Sequence, residues 1–427
     1  MKFAHLGDCH LGGWRQPELQ KLNLLSFQYA VNKCIKENVT FALITGDLFD
    51  SAYPPIETLR DTFNEFRKLQ EAKIPVFLIA GSHDYSASGK TFLEVLDKAG
   101  FCKNVAVFEE HKGAIMLQPT LYKGFALYGY PGKKSGLEVE DIGRIKIQDA
   151  PGMFKILMLH TAIKDAVGNL PIPSVDEKKL PKVDYLALSH LHIDYNKDGR
   201  VYSGPIFPNN LEELEELRAG SFYIFDDGKI KKEVIKIKEI LPIKIEVTNA
   251  LEATKKIIEK IEEESIADKI VILRLSGILE QGKLTDIDFI KIEAFVRSKG
   301  AFSFIKSTSK LHHLEAEIIL EQVDASYLEQ HILELFTQKN PSKFNSFSYS
   351  LLKALQLEKR ILEIFYQKPV FTLSIHKDVP LPTLSFPINK IIISNSASTK
   401  IKGWGVLVYS QNATLFHQIL CVFQNQL

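Results

Sequence analysis

Apolar residues in the first 240 positions fall into short runs: Lys2–Leu6, Phe41–Thr45, Val76–Ala80, Ile156–Leu159 and Tyr185–Leu188. Each has strand length. A run this continuously apolar is what a strand covered on both faces needs, because its side chains alternate between two buried sides. Helical patterns lie between several of them. Leu59, Phe63, Phe66 and Leu69 form one stripe after Pro54–Pro55, and Phe92, Val95 and Leu96 begin another. Strands alternating with helices predict a layered α/β domain over residues 1–240. Phe222–Phe225, the turn at Asp226–Gly228 and the alternating run Lys229–Lys238 predict a hairpin that closes it.

From Pro242 the pattern restarts. Strand-like Lys244–Val247, helical Leu251–Ile261, strand-like Ile270–Leu275, helical Ile287–Val296 and strand-like Phe302–Ile305 predict a small α+β module at 241–325. A third segment, 326–368, holds two amphipathic helix candidates, Leu328–Phe336 and Tyr349–Phe365, around a linker at Gln338–Ser348 rich in Ser, Asn, Lys and Pro. Residues 369–427 change character: positions 371–427 contain five charged groups, Lys377, Asp378, Lys390, Lys400 and Lys402. That tail reads as a β-prone appendage, a disordered end or the product of a reading-frame change.

At 427 residues, two or three domains are expected. No run of about 18 uncharged apolar residues offers a transmembrane helix. The N-terminal MKFAHLGDCHLGG lacks the apolar stretch of a secretory signal, so a cytoplasmic location and no membrane association are expected. Cys9, Cys34, Cys102 and Cys421 are scattered without Cys-x-x-Cys spacing, which suggests neither a disulfide framework nor a zinc knuckle. A formal net charge of +1 gives no bulk argument for nucleic-acid binding. Any basic surface has to be local, with Lys133–Lys134 and the lysines of Lys229–Lys238 as candidates.

The polar residues at the ends of the strand-like runs change the picture. The first run leads into Asp8-x-His10, the second into Gly46-Asp47 and the third into Gly81-Ser82-His83-Asp84; the fourth leads into His160 and the fifth into His190-x-His192. Five predicted strands thus deliver Asp or His just past their C-terminal ends, the edge of an open α/β sheet at which ligands bind. Carboxylates and neutral imidazoles together suit Mn²⁺, Fe²⁺ or Zn²⁺. Two such ions about 3.5–4 Å apart form a clamp for in-line displacement at phosphorus. His5, His111, His312, His313, His331, His376 and His417 lack this placement and read as core or surface residues.

The five blocks D-x-H, GD, GSHD, H and H-x-H resemble those of the calcineurin-like metallophosphoesterases. FAHLGDCHLG, LITGDLFDS, GSHD, LMLH and ALSHLH are similar to the SbcD-type nucleases of double-strand-break repair, whose archaeal members form the meiotic recombination eleven family. The resemblance covers about residues 1–240 and implies a layered sandwich of β-sheets flanked by helices. It implies two divalent ions, with Mn²⁺ expected: Asp8, His10 and His192 on one, His160 and His190 on the other, and Asp47 bridging. His83 takes the place of the histidine that contacts the scissile phosphate or protonates the leaving oxygen, and Asp84 orients a neighbour. Ser82 departs from the family pattern, which has a metal-ligating Asn there, so a weaker second site is expected. Asp50 stands where some relatives carry His.

By the same resemblance, 241–325 is a DNA-capping domain and 326–368 docks on an SbcC-type, SMC-like coiled-coil ATPase. The partners implied are DNA, that ATPase and a second copy of the chain in a homodimer. The expected activity is that of a Mn²⁺-dependent DNA exonuclease and endonuclease. A phosphatase or small-nucleotide phosphodiesterase on the same core is a second reading. A scaffold subunit with a weakened site is a third, motivated by Ser82 and the atypical tail.

Overall fold

A computed structural model describes residues 1–313 except 87, 88, 112, 134, 135, 137 and 169, together with the short strands Lys390–Ile393 and Val406–Tyr409. Met1–Glu315 forms one compact unit and Ala316–Leu427 a second. In the second, the two strands pair antiparallel, Lys390 opposite Tyr409. The helix pair expected between Ser326 and Gln367, and the rest of the tail, lie outside the described residues.

Two six-stranded sheets form the larger part of the first unit. One runs Lys229–Ile235, Gly220–Asp226, Lys2–Leu6, Phe41–Ile44, Val76–Leu78, Lys103–Asn104; its last four strands are parallel and the hairpin at its edge is antiparallel. The other runs Asp194–Lys197, Arg200–Ser203, Tyr185–Ser189, Phe154–His160, Phe125–Tyr130, Thr120–Tyr122, with the four inner strands parallel.

The alternation inside each run explains how the sheets meet. Phe3, Phe41, Leu43 and Phe77 of one sheet and Phe125, Ile156, Met158, Tyr185 and Val201 of the other share a single apolar layer. Their neighbours point away: Ala4, Leu6, Ala42 and Ile44 into a core with the helices Pro17–Lys36 and Ile56–Glu71, and Leu157, Leu159, Leu186 and Leu188 into the outer core of the second sheet. Burying each large side chain contributes about 1.5–3 kcal/mol. The Phe3 ring centres the shared layer, stacked on Phe41 and Phe225 and edge-on to Phe125 and Tyr185. The stripe Leu59/Phe63/Phe66/Leu69 is taken up by the first core, while Tyr53 and Ile56 stay exposed at the start of that helix.

His5 is a core residue, fully buried between the sheets, with Nδ1 3.0 Å from the Tyr185 hydroxyl and Nε2 3.1 Å from Thr45 Oγ1. Burial pushes its pKa down to about 3, so it stays neutral.

The module after residue 240 is a parallel three-stranded sheet, Ile240–Glu246, Ile270–Leu279 and Ser303–His313, with the helices Ala250–Glu262 and Phe289–Ser298 packed on it. It joins the rest through a separate apolar cluster in which Ile240, Ile270, Ile272 and Ile305 meet Trp14, Leu19, Leu22 and Leu214.

Candidate metal centre

The parallel strands of both sheets end at a common edge, and the Asp and His residues lie there. Asp8 and His10 follow Lys2–Leu6, Asp47 follows Phe41–Ile44, and Ser82–Asp84 follow Val76–Leu78. His160 is the last residue of Phe154–His160, and His190 and His192 follow Tyr185–Ser189. The chain turns sharply to aim them inward. Backbone φ is +48° at Asp8, +43° at His10, +49° at Asp47, +105° at His190 and +53° at His192. Such angles are uncommon in any non-glycine residue and persist only where surrounding structure imposes them, typically at functional sites.

Three groups of ligand atoms result among the described residues: Asp8 with His10 and His192, Asp8 with Asp47 and His160, and, at the mouth, His10 with Asp50 and His83. His192 Nε2 is 3.8 Å from Asp8 Oδ1. Asp47 Oδ2 lies between the first two, 3.2 Å from His160 Nε2 and 3.7 Å from His10 Nε2. Both Asp8 and Asp47 are therefore shared in space, where the family pattern led us to expect Asp47 alone. His190 joins none of them. Its backbone N–H donates to both Asp8 oxygens at 3.0 Å, and its ring sits edge-on to that of His160 at 5.0 Å. Burial lowers its pKa to about 4, which keeps its lone pair available at neutral pH.

The imidazoles of His10, His160 and His192 are oriented alike. Each has Nδ1 tied to an outer partner, leaving Nε2 for the centre: His10 to Asp50 Oδ1 at 3.1 Å, His192 to Glu213 Oε1 at 2.8 Å, and His160 to Ser189 Oγ at 2.9 Å and the Thr45 carbonyl at 3.1 Å. Ligand histidines at metal sites are held in this way. Asn209 links two of these partners, its N–H donating to Glu213 Oε2 at 2.8 Å and its side-chain amide to Asp50 Oδ1 at 3.3 Å. His160 Nε2 is fully buried and, despite its nearness to Asp47, has no hydrogen-bond partner in good geometry. An oriented, buried lone-pair nitrogen beside two carboxylates fits divalent cations.

Protons compete with cations for these nitrogens. Burial alone would lower the pKa of His160 and His192. The Asp47 carboxylate beside the first, and Asp8 and Glu213 beside the second, reverse this and raise both to about 9. His192 then donates from Nε2 to His10 Nε2, 2.9 Å away. Stability from these pairs is complete below the ordinary histidine pKa of about 6.5 and is lost as pH rises through about 9. A cation has to displace the protons. Its affinity is therefore expected to rise as pH approaches about 9, by up to about tenfold per pH unit for each proton released, and to level off above. Titration calorimetry of the metal-free protein with Mn²⁺ near neutral pH, in buffers of different ionisation enthalpy, should show proton release; a buffer-independent heat would contradict it.

His83 stands at the mouth, its side chain half-exposed and its ring 4.8 Å from that of His10. Its Nδ1 donates to the Asp50 carbonyl at 3.0 Å, which directs Nε2 as the exchangeable atom. Ser82 Oγ points to Asp47 Oδ2 at 3.4 Å. Asp84 is fully buried and accepts from the N–H groups of Phe49 (3.2 Å) and Gly81 (2.8 Å), tying the Asp47 and His83 loops together. Burial, with Asp47 nearby, raises its pKa to about 6. Glu213, Asn209 and Ser189 went unmarked in the sequence reading. In the structure Asn210 caps the short helix Leu211–Leu217, its side chain accepting from Glu213 N–H and holding Glu213 in place.

Residues 1–194 match the family model for calcineurin-like phosphoesterases. The chain is 26% identical over 271 residues to the DNA double-strand break repair protein Mre11 of Archaeoglobus fulgidus, covering 58% of this chain and 59% of that one. It is 28% identical over 263 residues to the protein of the same name in Methanocaldococcus jannaschii, covering 56% and 66%. It is 26% identical over 277 residues to the uncharacterized metallophosphoesterase YhaO of Bacillus subtilis, covering 60% and 65%. Across the first relatives the chain spans 48% to 66% of their length. A solved archaeal phosphodiesterase and a dimetal phosphatase from Danio rerio align over 55% and 56% of this chain, and 100% and 97% of their own, at 9% identity and TM-scores of 0.27 and 0.34. Likenesses that slight carry no argument.

Proposed function

From a calcineurin-like phosphoesterase domain at residues 1–194, we propose that the protein is a metal-dependent phosphodiesterase acting on DNA, an exonuclease and endonuclease of double-strand-break repair. The observation that carries the metal dependence is the common orientation of His10, His160 and His192, each tied at Nδ1 and turned with Nε2 toward Asp8 and Asp47. The case for DNA rests on the relatives named for double-strand-break repair and on a module after residue 240 for which a small-substrate enzyme has no evident use. Mn²⁺ as the working ion, a homodimer and an SMC-like ATPase partner belong to the same proposal.

Asp8, His10 and His192 would hold one ion and Asp47 and His160 the other, with His190 beside it. Divalent cations bound there supply positive charge to the phosphate oxygens and acidify water. The protein's own groups do the rest. Asp50 and Glu213 keep the imidazoles turned inward, and Asp84 keeps the Asp47 and His83 loops in register. His83, with Nδ1–H held by the Asp50 carbonyl, presents Nε2 to a departing 3′ oxygen and hands it a proton.

Linear DNA and a generic aryl phosphate, each incubated with the full chain and Mn²⁺, separate this reading from a phosphatase or nucleotide phosphodiesterase. Release of nucleotides or shortened strands is expected; turnover of the aryl phosphate alone would sink the DNA assignment. Ser82→Asn is expected to strengthen binding of the second ion and raise turnover, since an amide oxygen is the better ligand. Unchanged Mn²⁺ stoichiometry and rate would remove Ser82 as a weak point.

A further inference from the structure

Three consecutive residues of the short helix Leu211–Leu217 face three different structures. Glu213 accepts from His192 Nδ1 at 2.8 Å, behind the metal centre. Leu214, fully buried, sits in the apolar cluster shared with Ile240, Ile270, Ile272 and Ile305 of the α+β module. Glu215 pairs with Arg274 and, at 2.5 Å, with Lys244, both on strands of that module. Successive helical side chains point about 100° apart, so one turn touches the centre, the junction and the module at once.

The helix has little freedom of its own. It is seven residues long, too short to stand without tertiary contacts. Its start is fixed by Asn210, whose side chain accepts from Glu213 N–H at 2.9 Å and donates to Glu213 Oε1 at 2.5 Å. Its far side is fixed by the Glu215 pairs. The side chains of Glu215 and Arg274 are 11% and 13% exposed, so solvent screens that pair weakly. Moving the module shifts Glu215 and Leu214, and Glu213 moves with them.

We propose that this helix is a positioning element through which the α+β module sets His192, with Glu213 as the positioning residue and Arg274 as the module's grip on it. The module thereby tunes affinity for the ion held by Asp8, His10 and His192 and leaves the ion at Asp47 and His160 largely untouched. The inference rests on the metal-centre reading above.

The test is equilibrium Mn²⁺ binding by the full chain, followed by the electron paramagnetic resonance of free Mn²⁺, for wild type, Glu213→Ala, Arg274→Met, the double variant and the charge swap Glu215→Arg with Arg274→Glu. Glu213→Ala should weaken one of the two ions by about 10- to 100-fold. Arg274→Met should weaken the same ion by roughly threefold to tenfold, though it lies on the module and touches no ligand. The double variant should be no weaker than Glu213→Ala alone, and the swap should recover part of the loss. Thermal melts of the metal-free proteins run alongside; for an Arg274→Met that fails to fold, Lys244→Met, at a position 70% exposed, carries the same question with a smaller expected loss. Equal affinity in Arg274→Met (or Lys244→Met in its place) and wild type, independent losses in the double variant, or equal weakening of both ions would overturn the link. A wild type that takes up no Mn²⁺ would instead overturn the metal centre itself.

Discussion

Replacing His83 by alanine is expected to slow Mn²⁺-dependent cleavage of linear DNA by about 10²- to 10⁴-fold, the usual contribution of a positioned general acid, with Mn²⁺ affinity unchanged. The separation of the two effects follows from where His83 makes its contacts. The loop is held by its backbone: the His83 N–H donates to Asp47 Oδ1 at 2.8 Å, and Asp84 fastens the turn on either side. Alanine keeps all of these. The ring itself is half-exposed, touching His10 edge-on and the Asp50 carbonyl, so its removal opens no core cavity. Single-turnover cleavage and Mn²⁺ binding measured on the same preparation decide the matter. Parallel loss of both would mean that His83 supports the centre rather than the chemistry, and full activity would remove it from the mechanism.

Gly46→Ala is expected to disable the protein more thoroughly, although it changes no ligand. The backbone at Gly46 has φ +106°, a region that residues with a Cβ adopt only under strain. A Cβ there would lie 2.4 Å from His160 Nδ1 and 2.8 Å from Gly81 Cα. His160 cannot retreat, since Nδ1 is the atom held by Ser189 and the Thr45 carbonyl. Backbone strain of about 1–3 kcal/mol and overpacking of about 1–3 kcal/mol together give roughly 2–6 kcal/mol of lost stability. The Gly46 carbonyl also accepts the Asp8 N–H at 3.2 Å, so the turn that carries Asp8 shifts as well. Urea denaturation in the presence of a chelator reads the stability loss without any contribution from bound ions, and Mn²⁺ binding reads the damage to the centre. A variant with wild-type midpoint and affinity would show that the turn yields more readily than its contacts suggest.

The strands and their terminal Asp and His residues were legible because two local signals coincided. A four- or five-residue apolar run marks a strand wherever burial on both faces is required, and a polar ligand type just past it marks the functional edge. Asp8, His10, Asp47, His160 and His192 all carried that double mark. His190 carried it too, yet folding turned its backbone N–H, rather than a grouped ring nitrogen, toward Asp8. Glu213 carried no mark. In Leu211–Leu217 it is one of four glutamates, and nothing local separates it from Glu212, Glu215 and Glu216. The Asn210 cap, the packing of Leu214 and the Glu215 pairs together turn Glu213 toward His192. His5 looked like any other histidine, and its place depends on Tyr185, 180 residues away. Local pattern reports burial and chain direction; pairings that depend on rotation about an element's axis emerge only when the elements pack.

The two sheets meet across a layer that is almost wholly aromatic and aliphatic, and contacts of that kind resist separation far better than sliding. At the strand ends the situation differs, because Asp8, His10 and Asp47 belong to one sheet while His160 and His192 belong to the other. Ions gripped from both sides would act as rivets, fixing the sheets in one lateral alignment through bonds with direction. Chelation should then free the strand-end amides to exchange with solvent while the greasy interior, anchored by Phe3, holds the fold together.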